Sequence, residues 1–231
     1  MGNYKKTIVC LANSRRPGGT CFAGKEFAGG TASDWVRPIN GTNGGAISGR
    51  DRLYIDQSLA ELLDIVKIPL LAPVPHLHHQ EDHQINAKEY WEKTGRATWQ
   101  DVINATDVVE GELWVNEDSS YHGVNDKVSE ASAAELGGSL YLIEPEDLKL
   151  MVGMESVYQA PDIRRVRAVF TYNDISYNFV VTEEPVEQAY FKKGDGMYKI
   201  TGDVRLCVSL AEVLRGSATK LVAAVITPDR I

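Results

Sequence analysis

The chain has 231 residues, 43% hydrophobic and 24% charged, with a formal net charge of −8. That length suits one large domain or two small ones, and the composition is that of a globular fold rather than a disordered or fibrous chain. No run of 18 apolar residues occurs, which excludes a membrane-spanning helix. An acidic total also argues against a broadly positive face that coats nucleic acid without selectivity.

The charge is unevenly spread. Residues 1–52 hold eight Lys/Arg against three Asp/Glu, residues 53–163 hold six against 21, and residues 164–231 hold ten against eight. An acidic middle therefore separates two mildly basic ends. The six apolar residues before the first polar loop are too few for a signal-peptide core, and Lys6 replaces the hydroxyl residue of a myristoylation signal after Met1-Gly2. The expectation is a cytoplasmic protein with no membrane partner. Cys10, Cys21 and Cys207 lack C-x-x-C spacing, which argues against a disulfide scaffold or a zinc ribbon.

In chain order, KTIVCLA (6–12) reads as a buried strand that empties into the polar cluster Asn13, Ser14, Arg15, Arg16. Residues 20–24 and 34–39 read as further strands, the latter held to an edge or an end by Pro38. The glycine-rich 40–51 reads as loop, 52–56 as a strand, and the proline-punctuated 65–79 as extended chain. Residues 86–105 read as two helical pieces broken at Gly95, with Asn86 as cap, and 127–137 as a short helix stopped by Gly137. LYLIEPEDLKLMVG (140–153) suggests a strand, a turn at Pro145 and one helical turn. RRVRAVFTY (164–172) and ISYNFVVT (175–182) flank Asn173-Asp174, a hairpin signature. Residues 204–216 and 220–227 read as closing strands. Short strands divided by Gly/Pro loops indicate small barrels. No internal repeat or low-complexity tract is evident.

The string TIVCLANSRRPGGTCFAGKEF (7–27) with WVRPI (35–39), and VSLAEVLRGSATKLVAAVI (208–226), resemble a prokaryotic family described as a dual OB-containing domain. HQEDHQI (79–85) is similar to the Gln-x-Glu-Asn stretch at the end of that family's first half, with Asp82 and His83 departing from it. The resemblance implies two OB-like barrels in one chain and a nucleic-acid or nucleotide role.

Several constellations are candidates for chemistry. Arg15 and Arg16 offer planar donors for phosphate, Asn13 and Ser14 add hydrogen-bonding groups, and Gly18-Gly19 admits a ligand to the backbone. Trp35 and Arg37 lie two residues apart and share a strand face, where a ring stacks a base and a guanidinium holds its phosphate. The plainer reading makes the arginines solvated turn residues, Trp35 core, and Arg37 the partner of an acid from the middle. Lys25, Gln80 and Glu81 join the first-barrel ligand set, and Lys220, at the start of a strand, either projects into a groove of the second barrel as a ligand residue or caps the strand end. Arg165 and Arg167 share a face that either tracks a phosphate backbone or serves solubility. GTCFAGK (19–25) satisfies G-x-x-x-x-G-K, but Glu26 stands where Mg²⁺ binding needs Ser or Thr. His76, His78, His79 and His83 with Glu81 and Asp82 are weak metal candidates, read more simply as loop or strand-end residues. Cys21 has no nucleophile motif around it. The acidic stretch 101–118 reads as solvated surface.

The expected fold is mostly β, two OB-like small barrels with a short α-containing acidic connecting segment: 1–85, 86–137 and 138–231. The expected function is non-enzymatic binding of a nucleic acid, single-stranded, or of a nucleotide, with no cofactor. The alternatives are a protein-interaction module and, centred on the histidines, a metal-dependent nucleotide hydrolase. Oligomeric state leaves no mark in the sequence.

Overall fold

The structure is a computed structural model that describes residues 3–41, 45–157 and 160–231. Met1-Gly2 and residues 42–44 of the expected 40–51 loop lie outside these residues. The chain divides into two compact units: residues 1–106 with 137–139 and 228–231, and residues 107–136 with 140–227. Among the described residues, no helix is long and apolar enough to cross a membrane.

The first unit is a closed five-strand barrel. Its strands are β1 (Tyr4–Arg16), β2 (Gly19–Ala28), β3 (Thr31–Ile39), β4 (Asp64–Pro73) and β5 (Asp82–Ile85), in the order β1-β2-β3-β5-β4 with β4 returning to β1. Neighbours are antiparallel except β3 and β5, which run parallel through Arg37–Asp82, Pro38–His83 and Ile39–Gln84. Alternation fixes the inner wall: Val66, Ile68 and Leu70 are fully buried, whereas Ile65 and Lys67 are half-exposed. Phe22 meets Trp91 edge-on inside, ring centroids 5.1 Å apart. Pro38 is tolerated because it is the penultimate residue of β3.

The second unit repeats the same order without a repeat in the sequence. Strands β9 (Glu146–Val157), β10 (Ala160–Tyr172), β11 (Ile175–Val181), β14 (Ser217–Ile226) and β13 (Arg205–Leu210) follow β9-β10-β11-β14-β13, again with one parallel junction, between β11 and β14. Here β12 (Gly196–Lys199) lies on β9 and β8 (Leu140–Ile143) on β13, in place of direct closure. Helix α3 (Glu184–Lys193) connects β11 to β12. The stretch 107–129, expected within a connector, belongs to this wall. Val124 bridges Asn178 of β11, β7 (Lys127–Ser129) pairs with β14, and Leu113 and Trp114 enter the core.

Several local expectations are corrected. Residues 52–56 form only isolated bridges, Leu53–Leu59 and Tyr54–Trp91, beside a 3-10 turn at Arg50–Arg52. The first expected helical piece of 86–105 is instead a turn at 87–88, the Trp91 bridge and strand β6 (Glu92–Arg96) on β4, followed by α1 (Trp99–Asn104). The cap is Thr98, not Asn86, in a reciprocal capping box with Asp101. Residues 86–106 accordingly fall in the first unit. The expected helical turn after Pro145 is β9, because β10 on one side and β12 on the other supply its hydrogen bonds. Helix α2 (Glu130–Ala134) lies within the helix expected over 127–137. Missed altogether were α3 and β12.

Candidate nucleic-acid interface

The basic cluster is the upper end of the β1–β2 hairpin, with Arg15 opposite Thr20 and Arg16 opposite Gly19. Gly18 turns the corner at φ 86°. Arg15 is exposed and Arg16 half-buried, its guanidinium against Gly45. Ser14 is buried, and Asn13 Oδ1 is buried with no hydrogen-bond partner. The glycines of the G-x-x-x-x-G-K match lie within β2, not in a loop before a helix. A Cβ on Gly24 would collide with the Val9 carbonyl, and one on Gly19 with that of Ile47. Close strand packing, not a phosphate cradle, explains the pattern.

Below the hairpin, Lys25 of β2 stands opposite Trp35 of β3, its ammonium 5.5 Å from the ring centroid. Trp35 is half-exposed and Lys25 buried. Arg37 shares the Trp35 face but is committed elsewhere: Nε donates to Asp82 Oδ1 at 2.5 Å and Nη2 to Oδ2 at 2.9 Å. Burial works against its charge, yet the Asp82 hydrogen bonds lift the Arg37 guanidinium above its ordinary value. The face therefore joins Trp35 and Arg37 as expected, with Lys25 beside Trp35 and with Arg37 already neutralised by an acid from the middle of the chain.

Gln80 and Glu81 end the loop between β4 and β5. The Arg37 amide donates to the Glu81 carbonyl at 2.8 Å, while the exposed Gln80 side chain turns back to Leu77 O. The Glu81 carboxylate is buried and accepts the Ser139 hydroxyl, with His79 Nδ1 3.9 Å away. Burial alone would raise its pKa, but His79 and Ser139, aided by Arg37, hold it below the ordinary value. A tight turn pairs His76 with His79. His78 and His79 are buried with ring centroids 4.0 Å apart, and neither His79 nitrogen has a hydrogen-bond partner. His83 is bonded to the Tyr4 hydroxyl at 2.5 Å, and burial, then Lys6, depress its pKa. Among the described residues, no group of three or more His, Cys, Asp or Glu is arranged to hold a metal. The four histidines are parts of a turn and a strand.

Lys220 lies in the second unit, not on a groove but buried on the inner side of β14. Its ammonium donates to Asn116 Oδ1 at 2.7 Å and stands 5.8 Å from the Tyr177 ring centroid. Asn116 and the Leu113 amide in turn donate to the Tyr177 hydroxyl at 3.4 and 2.9 Å. Burial lowers the Lys220 pKa to about 8, against the upward pull of Glu112, Asp126 and Glu117. Arg165 and Arg167 share a face as expected. Yet both reach Glu155, Arg167 through Nε at 2.5 Å and Arg165 through Nε at 3.5 Å, and Arg167 Nη1 lies 3.8 Å from Asp126. Glu155 and Asp126 thus balance the charge of that pair.

Sequence reasoning offered an acid from the middle as the Arg37 partner without singling out Asp82, and it missed Ser139 and Asn116. Each acts across 45 residues or more, and only the parallel β3–β5 register signals the first of them.

A family model described as dual OB-containing domain matches residues 6–225. No curated protein matches, and no solved structure does.

Proposed function

Since the chain belongs to the dual OB-containing domain family, we propose that its first barrel binds a single-stranded nucleic acid or a nucleotide, without catalysis, across the β2–β3 face. OB folds use the face of their second and third strands, flanked by the loops after the first and fourth. In this barrel that face carries Lys25 opposite Trp35. Arg15 and Arg16, the last two residues of β1, lead into the first flanking turn, and the other loop ends in Gln80 and Glu81. The half-exposed Trp35 beside an ammonium is the observation that carries the reading, because an aromatic platform next to a cation stacks a base of any sequence. Cysteines held as thiols rather than disulfides suit a reducing compartment, and we place this activity in the cytoplasm.

Fluorescence anisotropy with labelled single- and double-stranded DNA and RNA, and with nucleotides, tests the reading. Single strands or nucleotides should bind in preference to duplexes, and Trp35→Ala should cost about 1–3 kcal/mol of that binding. Binding indifferent to Trp35→Ala would remove the face from the interaction. Absence of binding to every nucleic acid and nucleotide would overturn the reading and leave a protein ligand.

A further inference from the structure

The outermost strand of the second unit's sheet is β12, which pairs with β9 and, among the described residues, with no strand on its other side. The Ile200 amide donates to Leu148 O at 3.0 Å, which fixes the phase of the ladder. Gly196, Tyr198 and Ile200 turn their peptide groups toward β9, so Met197 and Lys199 turn theirs outward. The opposite end of the sheet differs. There β8 is capped by Asp107, whose amide donates to Leu142 O at 2.7 Å and whose carboxylate accepts the Leu142 amide at 2.8 Å. One edge is closed and the other is open. The open edge also shows its side chains: Met197 is 58% exposed, and Asp195 and Lys199 are exposed.

We propose that β12 is a self-association edge, on which a second copy of this chain adds its own β12 antiparallel about a two-fold axis at Met197. In that register Met197 faces Met197 of the partner subunit, and each Asp195 faces Lys199 of the partner subunit. The choice of register follows from the phase. Only registers that match odd positions with odd positions join outward peptide groups to outward peptide groups. Centring on Lys199 would oppose two ammoniums, and centring on Asp195 two carboxylates. Centring on Met197 alone opposes unlike charges at both flanks, which is the pairing that stabilises adjacent strands. Asp195 at present holds Arg164 at 2.7 Å, and Lys199 holds Asp147 at 3.2 Å. Those exposed pairs hold their geometry weakly and can share their charges with a new neighbour. A strand of four residues gives a small seam, so the dimer is weak and concentration-dependent. This inference does not depend on the ligand assigned to the first barrel.

Sedimentation velocity on the full chain, from micromolar to millimolar concentration, tests it. The wild type should shift reversibly from monomer to dimer. Lys199→Glu and Asp195→Lys should each lower the association constant at least about tenfold, because each sets like charges opposite one another at both flanks. Mixing the two variants should restore dimers, since every flank of the mixed pair again joins unlike charges. A wild type that stays monomeric throughout, variants that associate like the wild type, or a mixture without recovery would each overturn the proposal. Unchanged circular dichroism and thermal midpoints establish that the variants remain folded.

Discussion

Arg37 and Asp82 are both nearly fully buried, and each is the other's charge partner. Removing one member of such a pair leaves an uncompensated charge inside, so Asp82→Ala should cost about 3–5 kcal/mol in a urea titration. The double variant Arg37→Met with Asp82→Ala should be less destabilised than Asp82→Ala alone; additive losses would show that the two side chains do not act as a pair. Lys220 makes the opposite case, a buried cation held by an amide and a ring rather than a carboxylate. Its folded pKa of about 8 lies below the ordinary lysine value of 10.5, so the unfolded chain binds more protons between those limits. Stability should therefore rise as pH climbs from about 8 toward 10.5. Lys220→Met should flatten that rise; an unchanged pH profile would mean that the amine titrates elsewhere. Arg37 and Lys220 stand out in the sequence by residue type, but what each touches does not, because every decisive partner arrives from a distant strand.

The β10–β11 hairpin shows what one element can reveal before its neighbours are known. Alternating residues and Asn173-Asp174 identify it, and both turn residues adopt left-handed backbone, φ 51° and 60°. The two are not equivalent, since Asn173 Nδ2 also donates to Val109 O and Gly111 O, both at 2.8 Å. Asp174→Gly should be neutral or stabilise by up to about 1 kcal/mol. Asn173→Gly should destabilise, by about 1–3 kcal/mol for the lost bonds. Equal responses in thermal melts would contradict that asymmetry. Elements misread from sequence lie where tertiary pairing overrides local preference. NAKEYWEK (86–93) has the composition of a helix, yet residues 87–88 form a turn, Trp91 bridges Tyr54, and from Glu92 the β4 ladder running from Asp64–Arg96 to Lys67–Glu92 makes the chain a strand. Residues 146–153 are likewise drawn into the sheet between two neighbours. Helix α1 is signalled by Thr98 and Asp101, a capping box overlooked in favour of Asn86.

At the scale of the whole molecule, charge is abundant, and several arginines are already committed. The chain carries 24 Lys/Arg against 32 Asp/Glu, and Arg37, Arg165 and Arg167 are balanced by carboxylates of their own units. If Arg15 and Arg16 supply the phosphate contacts, the affinity for a single strand should fall with salt at a log–log slope of about 1.4. Arg15→Ala with Arg16→Ala should bring that slope near zero. A slope several times larger would mean that other cations take part. The same strand order in both units was hidden from a search for repeats because only the pairing is repeated, not the residues. It also has a consequence for how the chain is made. In each unit the strand that ends the order is not the last to be synthesised. Residues 4–9 of β1 must wait for residues 65–70 of β4, and β3 for residues 82–84, before the wall can close. Until those residues leave the ribosome, the nascent first barrel presents open, apolar edges. That interval is when it most depends on chaperones and is most at risk of aggregation.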